Sequence, residues 1–308
     1  MKQFLAIFKN SFKIIVGDAF FLALHILGAL GLLFVGSLPT FSFSKHILYM
    51  REQEQSVVLL LLCLTGAFAL TKVISDDIRH GADSILMSRP ISPTTVLLGK
   101  WTAVIAALLF MNLSLTLVYL WCSEIVFDSI KINQNSQLLC GGIIFSALLI
   151  GGLRNYFFRK PYIFFSNFCL TALILTVLVI KGFSKGWQYF DFAVYPSAIM
   201  ISYAAIVMCS VLAIIAVKFN SAVVIGSSIA LFLFGLISQY IRSSRLGDGI
   251  IAQMINAIIP DWQIFWTLDQ LTKEQVIPSS QYIHGAIQVI GQSIFYLTFA
   301  VWAYGNME

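Results

Sequence analysis

The sequence predicts an all-α fold: a polytopic membrane helix bundle of about eight transmembrane helices, or six on a stricter reading. Three observations carry this. Of the 308 residues, 59% are hydrophobic and only 11% charged, with a mean hydropathy of +0.88, whereas about a quarter of the residues of a soluble domain are charged. Eight apolar segments recur along the chain at span length. Those segments hold none of the 19 Lys/Arg and 14 Asp/Glu residues. A charge at the bilayer centre costs several kcal/mol or more, so this exclusion is the signature of lipid as the solvent.

The segments are Phe20 to Leu38, Val57 to Thr71, Trp101 to Cys122, Leu138 to Leu153, Ile163 to Ile180, Ala198 to Ala216, Ala222 to Ile241 and Gly285 to Tyr304. Most have the 17 to 25 residues a helix needs to cross about 30 Å of hydrocarbon. Two are short. Val57 to Thr71 can extend through Lys72 if that lysine reaches the interface, and Leu138 to Leu153 fits either a span or a re-entrant segment. With the N-terminus inside, the inner connections carry 11 of the 19 Lys/Arg over a shorter length than the outer ones. The positive-inside rule then places both termini in the cytoplasm.

Residues 1–18 precede the first span with helical periodicity: Phe4, Phe8, Phe12 and Ile15 share one face, and Lys2, Lys9 and Lys13 another. An interfacial amphipathic helix and a plain basic flank both fit. The outer segment 242–284 repeats isoleucines at helical spacing from Ile250 to Ile259, followed by Trp262, Phe265 and Trp266. It reads as an amphipathic helix on the outer leaflet, as a cover over the bundle, or as a contact for an external partner. No internal repeat or low-complexity linker divides the chain, so 1–308 is one transmembrane domain.

The segment 75–100, SDDIRHGADSILMSRPISPTTVLLGK, joins the second and third spans. Ser75 is placed to cap a helix that opens on Asp76 and Asp77, where carboxylates meet the positive end of the helix dipole. One face of that helix is Ile78, Ala82, Ile85 and Leu86; the other is Asp77, Arg79, His80, Asp83 and Ser84. Pro90 disfavours helical geometry at Arg89 and ends it there. Ser92 and Pro93 then suit the cap and first residue of the next helix, which runs through Gly99 and Lys100 into the third span.

This segment resembles the permease subunits of ABC-2 type transporters, in particular the subgroup of the nitrous-oxide-reductase maturation permease. The residues that carry the resemblance are Asp77, Gly81, Ala82, Leu86, Arg89, Pro90, Ile91, Ser92, Leu98, Gly99 and Lys100, with Ile259-Pro260-Asp261 before the last span. Ala82 and His80 stand where the family usually has threonine and an acidic residue, and the hairpin Leu138 to Ile180 exceeds the family's usual six spans. The resemblance implies that residues 75–92 form a cytoplasmic coupling helix docking on a separate ATP-binding cassette ATPase, with Asp77, Arg79, His80, Gly81, Asp83, Arg89 and Pro90 as the coupling residues. A solvated loop helix is the other reading. A second permease copy, membrane lipids and a periplasmic partner are the further implied contacts, in a bacterial inner membrane. The substrate path is expected among small residues including Gly28, Gly31, Ala147 and Gly151.

Several chemistries have no residues to run them. No GxxxxGK[ST] occurs, so no P-loop can cradle a nucleotide and hydrolysis of ATP falls to another subunit. Zinc motifs and a GxSxG elbow are absent, Ser42 to Lys45 is an isolated SxxK, and no cofactor site, metal site or catalytic residue is indicated. The basic residues are dispersed, which excludes a nucleic-acid footprint. His25 is the only acid, base or histidine within the eight segments, and the five cysteines show no metal spacing. Cys122 and Cys140 would fall near the outer surface, where a disulfide is chemically allowed.

Overall fold

The computed structural model describes residues 2–37, 46–82, 91–128, 134–243, 262–267 and 278–306. Among them there is no strand. The helices are α1 (Lys2–Val16), α2 (Ala19–Ser37), α3 (His46–Leu70), which continues through a π turn (Thr71–Ser75) into α4 (Asp76–Arg79), α5 (Pro93–Asp128), α6 (Gln134–Phe158), α7 (Tyr162–Lys185), α8 (Val194–Lys218), α9 (Ser221–Ser243) and α10 (Ser279–Gly305). Single turns of 3₁₀ helix lie at Trp187–Tyr189 and Trp262–Ile264.

Among the described residues six helical stretches are long and apolar enough to cross a membrane: Met50–Arg79, Pro93–Ser123, Leu138–Phe158, Tyr162–Lys185, Val194–Lys218 and Ser279–Gly305. The other two segments read as spans fall on α2, which meets α1 at a 59° bend, and on α9, a helix of 23 residues. Both segments that looked short in sequence are parts of longer helices. α6 extends to 25 residues, which replaces the re-entrant alternative. The helix that ends in this stretch begins at His46, well before Val57, and Glu54 and Gln55 on it are buried in the bundle.

α3, α5 and α8 fill the centre, and α6, α7 and α10 pack around them with less than half of their apolar windows buried. Their outward side chains stay apolar: Phe145, Leu149 and Leu153 on α6, Leu175 and Phe183 on α7, Ile283, Ile287, Ile290 and Ile294 on α10. Continuous apolar surface of this extent is unstable in water, and lipid matches it. The protein is a membrane-embedded helix bundle.

Ion pairs tie both ends of the α3 stretch to other parts of the chain. At one end, near α1, Lys72 of the π turn pairs with Asp18 at 3.4 Å; at the opposite end Arg51 of α3 pairs with Asp191 at 2.7 Å.

The amphipathic pattern of 1–18 is a helix, but its aromatic face is turned to protein. Ser11, Ile15 and Val16 are buried, Phe12 meets Phe164 of α7 edge-on, and Ile7 packs on Gly99 of α5. The lysines at 2, 9 and 13 are exposed, as the sequence pattern requires. Of the segment 242–284, Trp262 and Phe265 are buried. The Trp262 indole N–H is shared between the carbonyls of Leu231 and Phe232, and Phe265 meets Tyr203 edge-on. These aromatics cover the bundle. The isoleucine repeat 250–259 and Ile259-Pro260-Asp261 lie outside the described residues.

Candidate functional site

The segment expected to couple the chain to an ATPase is built differently from its sequence reading. Ser75 does not begin a helix: its backbone is already helical (φ −64°, ψ −44°) and makes no side-chain cap. Its hydroxyl donates instead to the carbonyl of Phe219 at 2.9 Å, in the turn between α8 and α9. The reason is continuity. α3 runs on through the π turn, so the amides that Ser75 would cap already have carbonyl partners one turn back. α4 then ends at Arg79 and not at Ser88 or Arg89. Gly81 adopts φ +72°, a left-handed conformation that glycine adopts freely and that closes helices. Gly81 thus interrupts the helix between Ile78 and Ala82, and Ile85 of the foreseen face lies outside the described residues. Asp83, Leu86, Arg89 and Pro90 lie outside the described residues.

The polar side chains of α4 divide into two groups. Asp77 binds Lys100 of α5 at 2.8 Å, and the Lys100 side chain is only 2% exposed. Asp76 accepts from the Ser221 hydroxyl at the start of α9 at 3.1 Å. These carboxylates thus face their own molecule, which corrects the placement of Asp77 on a docking face. Arg79 and His80 are exposed, with the His80 ring held by its Nδ1 against the carbonyl of Asp76 at 2.7 Å.

α5 starts as its sequence indicates. The Ser92 hydroxyl accepts from the Thr95 amide at 3.3 Å, with Pro93 as the first helical residue, where its missing N–H costs nothing. Gly99 lets α1 approach: a Cβ there would lie 3.0 Å from a methyl of Ile7 and 3.2 Å from its Cβ. Leu98-Gly99-Lys100 therefore acts in packing, with Gly99 the contact for α1 and Lys100 the counterion for Asp77. The result is an elbow in which α4 is tied to α5 and to the α8–α9 turn, while the π turn is tied through Lys72 to the α1–α2 junction.

At the opposite end a second polar cluster joins α3, α5 and the α7–α8 connection. Arg51 donates two hydrogen bonds to Asp191, at 2.7 and 2.8 Å; the Tyr119 hydroxyl donates to the same carboxylate at 2.6 Å, and the Asp191 amide donates to Ser123 at 3.1 Å. One turn from Arg51, Glu54 is fully buried, and neither of its carboxyl oxygens has a hydrogen-bond partner. The sequence reading missed Glu54 because it lies three residues before the apolar run at Val57. His25 is accordingly not the only ionisable side chain within the spans. The sequence signal available was the spacing Arg51, Glu54, Gln55, which puts three polar side chains on one face over two turns next to an apolar run.

His25 itself sits in a closed network. Its Nδ1 lies 2.9 Å from Asn167 Oδ1 and its Nε2 2.6 Å from the Ser114 hydroxyl; Thr171 donates to Ser114, and Asn167 donates to the carbonyl of Val16 at 2.9 Å. Both ring nitrogens are occupied, which is the arrangement of a packed structural histidine. The small residues foreseen along a path serve helix contacts: a Cβ at Gly28 would meet Leu61 and Leu115, one at Gly151 would meet Ser166, Ala147 is buried, and Gly31 alone faces open space. Cys122 and Cys140 are free thiols, and among the described residues no group of three or more His, Cys, Asp or Glu could hold a metal ion.

Comparison with known proteins gives no match. No family model, no curated protein and no solved structure is similar to the chain.

Proposed function

We propose that this chain is the membrane-spanning subunit of an ATP-driven transporter, energised by a separate ATP-binding cassette ATPase. The observation that carries this reading is the elbow at α4. A short helix with Arg79 and His80 exposed is joined by side-chain bonds to α5 and the α8–α9 turn, so force applied to it would reach helices at the centre of the bundle. The motif resemblance and the missing P-loop support the same reading. In it the α1 end is cytoplasmic, the membrane is a bacterial inner membrane, and a second copy of the chain completes the pore.

The test is to purify the tagged chain from its native membranes, identify an associated ATPase, and compare the wild type with Arg79→Glu/His80→Glu. Both positions are exposed, where substitutions change stability by about 0.5 kcal/mol or less, while like charges across an interface cost several kcal/mol. Lost association with retained folding is the expected result; unchanged association and ATP turnover overturn the reading.

One observation favours a second reading, an ATP-independent carrier. Such a carrier holds an acid within the spans for proton coupling, and Glu54 supplies one. Substrate uptake driven by a proton gradient without ATP, abolished in Glu54→Gln, would select it.

A further inference from the structure

Between α5 and α8 a groove of about 180 Å³ opens sideways from the bundle. Leu109, Leu113, Tyr195 and Ile199 wall it, all partly exposed on the apolar flank of the bundle. Asn112 lies at its floor, 5% exposed. The hydrogen-bonding capacity of this floor can be followed atom by atom. The Asn112 amide nitrogen donates to the carbonyl of Ala198 at 2.8 Å and to the Ser202 hydroxyl at 2.7 Å. Ser202 gives its own proton to the same Ala198 carbonyl at 2.9 Å, so towards Asn112 it can only accept. The amide orientation is thereby fixed, because a carbonyl and a committed hydroxyl both require the nitrogen to face them. Thr116 gives its proton to the Asn112 backbone carbonyl at 2.9 Å. Every donor on the floor is used. The Asn112 side-chain oxygen remains, buried and with no hydrogen-bond partner, Tyr195 included.

We infer that this groove binds a neutral lipid alcohol from the bilayer, whose free hydroxyl donates to Asn112 Oδ1 while its apolar body lies along Leu109, Leu113 and Ile199. The ligand must bring a donor, since the floor offers only an acceptor. It must be uncharged, since among the residues lining the groove there is no counterion. It enters laterally, so it comes from the membrane. A buried acceptor left unmet carries a penalty that a hydroxyl removes and an ether cannot, and this sets the discrimination. The inference stands whether or not ATP drives the protein.

The experiment uses the full-length protein in phosphatidylcholine nanodiscs, labelled with a diacylglycerol carrying a photoactivatable group on one acyl chain. Labelled peptides are expected from α5 and α8, with unlabelled diacylglycerol competing about tenfold better than its hydroxyl-methylated ether. Asn112→Leu should make alcohol and ether compete equally. Because that change also removes bonds to α8, Leu113→Trp provides the second arm: it fills the groove from its exposed wall, leaves Asn112 in place, and should abolish specific labelling at an unchanged unfolding temperature. Equal competition by alcohol and ether in the wild type would mean that water or an ordinary phospholipid chain occupies the groove, and would overturn the inference. Undiminished labelling in folded Leu113→Trp would do the same.

Discussion

At Gly99 the absence of one methyl group brings two helices together. A larger side chain must push Ile7 and with it α1, and overpacking of this kind costs about 1–3 kcal/mol. Gly99→Val should therefore lower the unfolding temperature in detergent, whereas Gly31→Ala, in open space, should be neutral or stabilising. Asp77 and Lys100 make a sharper case. Lys100 is almost wholly enclosed while Asp77 is about one-third exposed, so Asp77→Asn weakens a part-screened ion pair, at a cost of about 1–2 kcal/mol. Replacing both, as Asp77→Asn with Lys100→Met, should recover most of that loss. A double mutant as unstable as the sum of the two single changes would show that the pair is not the unit that matters.

At the scale of the element, two of the contacts that hold α1 lie near its ends: Gly99 packs near its start, and the Asn167 side chain donates to the carbonyl of Val16 at its end. The second contact also fixes His25, so one asparagine ties the end of α1 and the body of α2 to α7. Asn167→Leu keeps the volume and removes the bonds. The expected outcome is faster amide exchange throughout α1 with little change in the centre of α5. Uniform protection across α1 in that variant would mean that its apolar face alone holds it down. The periodicity of Phe4, Phe8, Phe12 and Ile15 announced a one-sided helix but not its companion surface, because lipid and protein are equally apolar neighbours for phenylalanine.

For the molecule as a whole, the two ends differ in their polar chemistry, and orientation is open to direct measurement. With the native cysteines replaced, Gln188→Cys in the α7–α8 connection should react with an impermeant thiol reagent applied to intact cells, and Asn306→Cys after α10 should react only once the cells are opened. Both positions are exposed. Labelling of Asn306→Cys in intact cells would invert the arrangement and remove α4 from the side where ATP is found.

The sequence by itself determined the fold class and the approximate place of the long apolar helices, because the exclusion of charge from lipid acts on each residue separately and needs no partner. It also determined the start of α5, since the Ser92-Pro93 cap is a local device. Only the tertiary structure decided what the polar residues do. Asp77 is written four residues ahead of Gly81 like a surface charge, yet it faces Lys100, 23 positions later in the chain. Glu54 belongs to the span and not to the loop before it, because Arg51 finds its counterion 140 residues away and draws that turn of helix into the bundle. The Asn112 oxygen is left unmet only because α8 brings Ala198 and Ser202 to the other side of the amide. Charge exclusion is a property of one residue and its solvent, and can be read along a line. Pairing is a property of two residues far apart in the chain, and exists only once the helices are packed.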